Sequence, residues 1–439
     1  MKRFLKSIVA AFLAVLARGI IRKYRPRIVM VTGSVGKTST KDAVAAALSA
    51  RFYVRKSEKS YNSEIGVPLT VFGMKNPWGN PFGWLMVVKS ALALALLPNH
   101  YPNLLVLEVG ADRPGDLAKM LRIALPDAVV LTRLPEIPVH VEAYESPEAV
   151  REEEFSPAYG LEPEAPLILP SDDPYAGPMS ARVPARSIRY GEREDADVRL
   201  EDAGFLLEEG QVTGMRAEVR AGDERGILLV RGSVGKTQLL PAVAAVATAR
   251  AFDIPLMEAL KALESYTPPS GRGRLLSGMH GSLLVDDSYN SSPAAVEEAL
   301  DTLSRFPGAA SPFSTTASRR RRVAVLGDML ELGRYSVTEH ERIGTLLVGK
   351  ADLLVAVGIR ARAFASAARA AGMPEDRVFT FDDARAASSE MQKIVESGDV
   401  VLVKGSQSIR TERIVEALLA DPADKRFLVR QEPQWRRRA

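Results

Sequence analysis

A glycine-rich turn between an apolar run and a helix-forming segment holds the residues of this sequence that are best suited to chemistry. The run at 28–31 leads into the turn, and 42–49 has the composition of a helix. Glycines allow backbone N–H groups to point at phosphate oxygens, and the start of a helix favours an anion. A lysine after such a turn reaches the terminal phosphates, and the threonine that follows it holds Mg²⁺. The sequence therefore predicts a phosphate site formed by Gly33, Ser34, Val35, Gly36, Lys37, Thr38 and Ser39.

The six residues GSVGKT occur a second time, at 232–237. In this copy Gln238 stands where the first copy has the hydroxyl of Ser39, and the flanking residues do not repeat. We therefore interpret the second copy as a turn that leads into an alanine-rich helix near 241–252, and not as a second nucleotide site.

Two further residues are candidates for metal binding beside the first copy. Glu108 follows the apolar run 104–107, and the carboxyl ends of parallel strands are where the sites of α/β proteins collect. A carboxylate is costly to bury there unless it binds something, and Mg²⁺ held near Thr38 would satisfy it. A hydrogen-bonded structural glutamate is the alternative. His140 follows the next apolar run, 128–131, and is a candidate second metal ligand.

The composition is that of an ordinary globular protein with more than one domain. The 439 residues are 46% hydrophobic and 26% charged, and they include no cysteine and only 4 histidines. Disulfides and thiolate metal sites are therefore excluded, and ATP use without cysteine predicts a cytoplasmic protein. The net charge of +4 arises in residues 1–27, which hold eight basic and no acidic side chains. Because the basic character is local, we expect no nucleic-acid-binding surface.

The N-terminal segment 1–27 combines this charge with apolar residues at helical spacing. Its uninterrupted apolar run, 8–17, is too short to cross a bilayer. Three interpretations stay open: a basic amphipathic helix on an anionic membrane, a signal peptide, and a helix packed onto the protein itself. We favour the first, which predicts peripheral contact with the inner face of the membrane. A second apolar run, 84–97, is interrupted by Lys89 and could pair with this helix or enter the same interface.

Apolar runs that alternate with helical patterns predict an α/β fold. We expect a basic helix at 1–27, a central P-loop ATPase domain with a parallel sheet at 28–267, a C-terminal Rossmann-like α/β domain at 268–425 and a basic tail at 426–439. A small antiparallel region is predicted at about 187–230 within the central domain. The predicted strands are 28–31, 104–107, 128–131 and 167–169 in the central domain, and 283–285, 323–326, 353–357 and 400–403 in the C-terminal domain.

Six stretches of the sequence occur in the same order in a known enzyme family. They are TGSVGKTST at 32–40, SYNSEIGVPLT at 60–70, LEVGADRPGD at 107–116, DDSYNSSP at 286–293, LGDMLELG at 326–333 and VKGS at 403–406. In this order they resemble the Mur ligase family, which makes amide bonds in peptidoglycan precursor synthesis at the expense of ATP. The fourth and fifth stretches are typical of the branch that adds D-alanyl-D-alanine to UDP-N-acetylmuramoyl-tripeptide.

The resemblance implies a mechanism, two cofactors and a set of residue roles. ATP would convert the substrate's terminal carboxylate into an acyl phosphate, and the amine of D-alanyl-D-alanine would displace the phosphate. Such a reaction needs positioning and charge neutralisation more than a protein nucleophile. The implied cofactors are ATP and Mg²⁺. The implied roles are catalysis for Lys37, His140 and Arg272, nucleotide contact for Arg272, Asp287 and Asn290, metal binding for Thr38, Glu108 and His140, and contact with the incoming amino component for Lys404 and Ser406.

Each role in the C-terminal half has a structural alternative. Arg272 could be a linker arginine, and Asp287 and Asn290 could cap a helix. Lys404 and Ser406 could shape the turn at the end of a strand. The same residue types at the same spacing serve either purpose.

The sequence departs from the family pattern at four places. Only about 27 residues precede the ATP-site strand, where these ligases carry a domain that grips the UDP-sugar, so we expect binding of a UDP-linked substrate to be altered. Glu154 stands where the family has a carbamylated lysine, and its shorter carboxylate becomes a further expected metal ligand; a solvated position in the acidic run 152–154 is the alternative. The residues 169–173, expected near the adenine, lack the usual asparagine, and Thr237 stands where a histidine is common.

We therefore predict an ATP-dependent amide-bond ligase that joins D-alanyl-D-alanine to a muramoyl peptide. One alternative is a ligase for a lipid-linked or other acidic substrate. Another is a nucleotide-binding scaffold that has lost ligase activity. Turnover separates these alternatives, because a ligase releases phosphate only with an acceptor, whereas a scaffold binds ATP without turnover.

Overall fold

The computed structural model describes residues 2–58, 60–306, 320–432 and 435, and the chain forms two compact units. The first unit comprises Met1–Gly204, Arg216–Leu229 and Leu239–Tyr266, and the second comprises Phe205–Met215, Val230–Gln238 and Thr267–Ala439. Most of the predicted tail beyond 432 lies outside the described residues.

The first glycine-rich turn belongs to a sheet of nine strands among the described residues. The strands are β1 Arg27–Thr32, β2 Val54–Lys56, β3 Leu104–Glu108, β4 Ala128–Leu131, β5 Pro166–Pro170, β6 Arg186–Gly191, β7 Val198–Glu208, β8 Gln211–Ala221 and β9 Glu224–Arg231. Their order is β2-β3-β1-β4-β5-β6-β7-β8-β9, and the pairs from β2 to β7 run in parallel. This confirms the four strands predicted in the central domain.

The parallel register brings the carboxyl ends of three strands to one edge of the sheet. Val31 on β1 pairs with Glu108 on β3, and Thr32 pairs with Leu131 on β4. Residues that follow these strands therefore meet at that edge. The region predicted as antiparallel from residue 187 begins differently, because β6 pairs in parallel with both β5 and β7.

Helices connect most of the parallel strands from β1 to β6, and others precede or follow the sheet. Up to residue 266 they are α1 Lys2–Tyr24, α2 Lys37–Leu48, α3 Gly66–Phe72, α4 Pro81–Leu96, α5 Asp116–Leu121, α6 Pro147–Phe155, α7 Ala176–Ser180, α8 Lys236–Ala251 and α9 Leu256–Leu263. The turn and alanine-rich helix predicted after the second GSVGKT copy are confirmed by α8, which begins at Lys236 and contains Pro241.

The N-terminal helix α1 packs onto the first unit. Leu13, Ala17 and Ile20 are buried in the same core as residues of α3 and α4. The apolar side of α1 therefore covers protein, which is the third of the three interpretations of residues 1–27. Among the helices that the structure describes, none has the length and apolar content of a membrane span.

The second unit contains a six-stranded sheet among its described residues. Its strands are β10 Arg274–Ser277, β11 Leu283–Asp287, β12 Arg322–Gly327, β13 Leu353–Val357, β14 Val378–Phe381 and β15 Val400–Lys404, and its helices are α10 Pro293–Ser304, α11 Ser336–Leu346, α12 Arg362–Ala370, α13 Ala384–Ile394 and α14 Glu412–Leu418. The order is β10-β11-β15-β12-β13-β14, parallel except for the β10–β11 pair. This confirms the strands predicted in the C-terminal domain.

Residues from the start of the predicted tail are part of this second unit. Leu428 is buried in the core of the sheet, and Arg430 is buried in an ion pair with Glu412, with 2.9 Å between Nη1 and Oε2. Burial lowers the pKa of Arg430, and the charge of Glu412 opposes that shift. The chain is therefore tied to the domain at least as far as Arg430.

Candidate active site

The turn between β1 and α2 is built around two glycines with positive φ. Gly33 has a φ of 114° and Gly36 a φ of 94°, a region of backbone conformation that glycine adopts without strain. A Cβ added to Gly33 would come within 2.4 Å of Thr132 Oγ1. The turn therefore lies directly against Thr132, the residue that follows β4. A side chain at position 33 would push the turn and Thr132 apart.

The amides along this turn face different partners. The N–H groups of Ser34 and Val35 donate to the Arg133 carbonyl oxygen at 3.0 and 3.4 Å, which ties the turn to the segment after β4. The next amides open α2, and the first N–H groups of a helix have no carbonyl partner inside it. α2 has no side-chain cap and no acidic residue in its first turn. These amides therefore fit a phosphate group.

The Lys37 ammonium group lies over the turn. It donates to the carbonyl oxygen of Gly33 and, at 3.4 Å, to that of Ser34. Its stem passes close to Gly110, where an added Cβ would lie 3.2 Å from Lys37 Cε and 3.0 Å from Asn62 Nδ2. A side chain at 110 would press on the ends of Asn62 and Lys37, and the lysine is positioned as in a phosphate-binding turn.

Thr38 connects the turn to two other segments. Its hydroxyl lies 2.9 Å from Ser60 Oγ and donates to Glu108 Oε1 at 3.1 Å. Glu108 ends β3 and is only 2% exposed. The structure thus brings together the threonine and the carboxylate that the sequence predicts as metal ligands.

The residues present fit a triphosphate with a divalent cation. Mg²⁺ in such sites takes one or two protein oxygens and completes its octahedron with phosphate oxygens and water. The Thr38 hydroxyl and the Glu108 carboxylate supply such oxygens beside the helix start. Within the described part of the chain, no group of three or more His, Asp or Glu side chains could hold a metal by itself. A cation here would therefore depend on the phosphates for its other ligands.

Glu154 lies in the same site, on α6. Ser34 Oγ donates to Glu154 Oε2 at 2.5 Å, and Thr32 Oγ1 donates to the Glu154 backbone oxygen at 2.6 Å. The side chain is 2% exposed, which excludes the alternative of a solvated helix face. Burial raises the pKa of Glu154, while the charges of Lys37 and His140 act in the opposite direction.

His140 is the remaining predicted metal ligand. It has a positive φ of 69°, and its Nε2 lies 3.6 Å from Asp112 Oδ1 in the loop after β3. Its electrostatic influence on Glu154 places both in one neighbourhood. His140 and Glu154 are therefore near the turn, but the cation they are expected to share stays a prediction.

The acidic pair at the end of β5 has partners of its own. Asp173 accepts hydrogen bonds from the N–H groups of Leu134, Tyr175 and Ala176 at 2.6 to 3.0 Å, and Asp172 accepts from Glu192 N at 2.8 Å. Both carboxylates thus cap backbone groups of neighbouring loops. The expected position of 169–173 near an adenine stays a prediction.

In the second unit the structure brings together three of the predicted residues, Lys404, Asp287 and Asn290. The Lys404 ammonium group is buried and lies 2.7 Å from Asp287 Oδ2, and it donates to the Asn290 carbonyl oxygen at 3.0 Å. Asp287 Oδ1 accepts from Gly273 N at 3.2 Å. The nearby Arg272 guanidinium lies over the ring of Tyr289, 4.2 Å from its centroid.

Ser406 lies apart from that cluster and joins two of the sequence stretches. Its hydroxyl accepts from Leu330 N at 2.9 Å, and its own N–H donates to the Asp328 carbonyl oxygen at 3.0 Å. Asp328 Oδ1 accepts from Ala361 N at 2.7 Å. Ser406 therefore fixes the loop after β12 in the structure.

The second GSVGKT copy also forms a turn followed by a helix. Gly232 and Gly235 have φ of 73° and 109°, and α8 begins at the next residue. Its backbone is tied to the segment 273–275: Val234 N donates to Gly273 O at 2.8 Å, and Leu275 N donates to Gly232 O at 3.0 Å.

Sequence reasoning missed three residues of the site. Ser60 and Asn62 lie against Thr38 and the stem of Lys37, and Gly110 provides room for that stem. Ser60 and Asn62 belong to the stretch SYNSEIGVPLT, which was noted only for its resemblance. The available signal was a cluster of small polar residues soon after β2, whose parallel pairing with β3 places its end near Glu108.

Comparison with known proteins matches both halves of the chain to one family. The model described as Mur ligase middle domain matches residues 31–82 and 86–249, and the one described as Mur ligase, glutamate ligase domain matches 271–407. The UDP-N-acetylmuramoyl-tripeptide–D-alanyl-D-alanine ligase of Mycobacterium leprae is 30% identical over 413 residues, which cover 90% of this chain and 74% of that protein.

Two other similar proteins carry the same name or fold. The ligase of that name from Bacillus subtilis is 26% identical over 93% of this chain and 79% of its own length. The crystal structure of MurF ligase from Thermotoga maritima in complex with ADP has a TM-score of 0.72 and 26% identity, covering 95% of this chain and 84% of that one. Together with the glycine-rich turn, Thr38 and Glu108 at one sheet edge, these matches establish that the chain belongs to the Mur ligase family of ATP-dependent ligases.

Proposed function

We propose that this protein is an ATP-dependent amide-bond ligase that adds D-alanyl-D-alanine to a muramoyl peptide in peptidoglycan precursor synthesis. The observation that carries the proposal is the Thr38 hydroxyl, held between Ser60 and Glu108 at the start of α2 and beside Lys37. This arrangement suits a Mg²⁺-bound nucleotide, and the similar proteins named above join D-alanyl-D-alanine to a UDP-muramoyl tripeptide.

In the proposed reaction ATP supplies the phosphoryl group that turns the substrate carboxylate into an acyl phosphate. ADP leaves as the phosphoryl group is transferred. Lys37 and the first amides of α2 would hold the phosphates, and Thr38 and Glu108 would hold a Mg²⁺ ion that neutralises their charge. The amine of D-alanyl-D-alanine then attacks the acyl carbon, and the amide forms as inorganic phosphate leaves. These side chains position the reactants and neutralise charge, so that no protein nucleophile is needed.

The other predicted residues take supporting roles in this proposal. Glu154 and His140 serve a second cation, or steady the turn through the hydrogen bond of Ser34 to Glu154. Arg272 and Asp287 contact the nucleotide. Asn290, in the loop that follows Asp287, contacts it as well. The ion pair between Lys404 and Asp287 supports a role for Lys404 in holding Asp287 in place. Lys404 lies next to the incoming amino component in this proposal. Ser406 orders the adjoining loop.

The test is phosphate release by the full-length chain with UDP-N-acetylmuramoyl-tripeptide and D-alanyl-D-alanine. We expect phosphate only when ATP, Mg²⁺ and both substrates are present, together with a product that contains both. Release with another acidic acceptor, and none with the muramoyl peptide, would assign a different substrate. Nucleotide binding without release with any acceptor would make the protein a scaffold.

We also propose that the protein is cytoplasmic and makes peripheral contact with the anionic inner face of the membrane through residues 1–27. The support is the eight basic side chains and the absence of acidic ones in that segment. Basic residues near an anionic leaflet each contribute about 1 kcal/mol to binding. Among the described side chains of α1, Leu13, Ala17 and Ile20 are used in packing, and Phe12 and Val15 are exposed, so that α1 adds little apolar area to this charge.

A further inference from the structure

An exposed apolar face runs along α4 in the first unit. We define the α4 face by the large apolar side chains that α4 and the residues beside its two ends leave exposed: Trp78, Phe82, Leu85, Met86, Leu92, Leu96 and Leu97. Phe82 is 78% exposed, Leu85 66% and Leu96 76%. The positions 82, 85, 86, 92 and 96 recur at the spacing of one helix side. The same helix side also includes the exposed Lys89. An exposed side with this many large apolar residues marks a binding site rather than chance exposure.

The opposite side of α4 is fixed to the protein. Val87, Ala91 and Leu94 are buried in the core that also contains α1 and α3. Lys23 of α1 donates to the carbonyl oxygens of Leu94 and Leu97 at 2.9 and 2.6 Å, which satisfies the end of the helix. The α4 face is therefore held outward by packing on its other side.

The charges around the face are chiefly basic. Residues 65–107 contain Lys75 and Lys89 and no Asp or Glu, and residues 1–27 of the adjoining segment contain eight basic and no acidic residues. Lys75 is paired with Glu58, with 3.3 Å between Nζ and Oε2, whereas Lys89 is exposed on α4 itself. An apolar helix side with an excess of basic residues beside it is complementary to anionic lipid headgroups above an apolar layer.

We propose that the α4 face is a membrane-docking surface that inserts into the interface of an anionic bilayer, with α4 lying in the membrane plane. At 1.5 Å per residue a helix of this length is about 24 Å long, too short to cross the hydrocarbon core, but suited to lie along it. Trp78, which is 56% exposed just before its start, fits the headgroup level, where tryptophan is enriched. A second copy of the chain fits less well, because a symmetric contact would bring the same cations together.

This inference deepens the proposed membrane contact of residues 1–27, because α4 supplies the apolar part that α1 uses in packing. It does not depend on the ligase reaction. Acceptor-dependent phosphate release without vesicles is therefore measured on every variant, so that failure of docking and failure of the proposed function are told apart.

The experiment measures binding of the full-length chain to vesicles of phosphatidylcholine with and without phosphatidylglycerol. We expect wild type to bind only the anionic vesicles, less so as salt rises, with a blue shift of tryptophan fluorescence. The double variant Leu85→Asp, Met86→Asp should bind roughly tenfold or more weakly, since two apolar side chains no longer leave water. Leu125→Asp, which changes another exposed leucine of the same unit, should bind as wild type does.

Three results would overturn the proposal. One is a failure of the wild-type protein to bind anionic vesicles. Another is the double variant binding as tightly as Leu125→Asp. The third is a double variant that binds vesicles as wild type does but differs from it in oligomeric state, measured by sedimentation. The α4 face would then be covered by a second copy. Circular dichroism of both variants establishes that a loss of binding reflects the surface and not unfolding.

Discussion

The two copies of GSVGKT show how far six identical residues determine structure and where their influence ends. Both copies have glycines of positive φ at the same two positions, at Gly33 and Gly36 and at Gly232 and Gly235. In both, a helix begins at the lysine. The two turns therefore share positive φ at both glycines and the start of the helix, because glycine adopts positive φ without strain.

The surroundings of the two turns differ. Around the first copy, Ser60 and Glu108 approach Thr38, and Glu154 accepts from Ser34. Beside the second copy, a small cavity is lined mainly by apolar side chains, among them Val234, Leu303 and Phe306. In place of the first copy's Thr38–Glu108 contact, the Thr237 hydroxyl accepts from the amide of Gln238 at 3.3 Å.

The comparison teaches that the turn supplies amides and a lysine, while neighbouring strands supply the metal ligands. The first copy follows a strand that pairs with β3 and so stands beside Glu108. The second follows β9 at the other end of the sheet order. A carboxylate also lies beside the second copy, because Asp287 lines the same cavity as Thr237, but Asp287 is paired with Lys404. In the first copy Thr38 donates directly to the carboxylate of Glu108.

The largest expected difference between the copies concerns their lysines. Lys37→Ala should lower acceptor-dependent phosphate release by about 10²–10³-fold, as does loss of a group that stabilises developing charge. Lys236→Ala should stay near the wild-type rate, and it serves as the matched control. Steady-state phosphate release by both variants is the measurement. Equal damage by the two changes would show that the second copy also serves the reaction.

The next test removes the carboxylate that only the first copy contacts. Glu154→Gln should reduce turnover by roughly tenfold to a hundredfold, as changes next to a metal or its ligands do. Glu152→Gln on the same helix is the control, because that side chain pairs with Arg182 at the surface. Wild-type turnover and Mg²⁺ dependence in Glu154→Gln would leave the carboxylate without a part in the reaction.

Glu154 also predicts a response to bicarbonate. A glutamate needs no carbamylation, so wild-type turnover should be the same with and without added bicarbonate. Glu154→Lys should make activity depend on bicarbonate, which is measured by phosphate release in CO₂-depleted and supplemented buffer. Bicarbonate dependence of the wild type would contradict the assignment of this position.

A pair of glycine substitutions separates stability from activity. Gly36→Ala and Gly235→Ala each place a Cβ at a positive φ and should each lower the free energy of unfolding by about 1 kcal/mol. Only Gly36→Ala should also reduce turnover, because its amide opens the helix that holds the phosphates. Urea unfolding and phosphate release measure the two effects. A loss of turnover in Gly235→Ala at unchanged stability would contradict the comparison.

The smallest expected effect is on the pH dependence of stability. Burial raises the pKa of Glu154 above its ordinary value of 4.5, so folding favours the protonated form. The protonated carboxyl therefore contributes to the free energy of unfolding below pH 4.5. This contribution should be lost as pH rises through the pKa of Glu154 in the folded state. Glu154→Gln removes this component, so the difference between variant and wild type in urea unfolding should grow with pH. A constant difference would mean that the carboxyl titrates as in the unfolded chain.

Much of the fold was predictable because buried parallel strands leave a strong pattern. The apolar runs at 28–31 and 128–131 were correctly predicted as strands, and the short β2 and the two edge strands β10 and β14 were missed. A three-residue strand of half-exposed residues, such as β2, has no such pattern. Of the site, Lys37, Thr38 and Glu108 could be read from motif and position. The contact of Ser60 with Thr38 could not, since it depends on how β2 pairs with β3.

The sequence by itself determined the glycine turns and the family, because these depend on residue types at short spacing. The helices after the two turns were expected from 42 and near 241, and they begin at Lys37 and Lys236. Tertiary structure decided which turn meets Glu108 and Glu154, and whether the apolar side of a helix is covered. Packing against α3 and α4 buries one side of α1, whereas the apolar side chains of the α4 face stay exposed. Local spacing fixes backbone conformation, whereas burial and charge pairing depend on residues that are distant in sequence and brought close by the sheet.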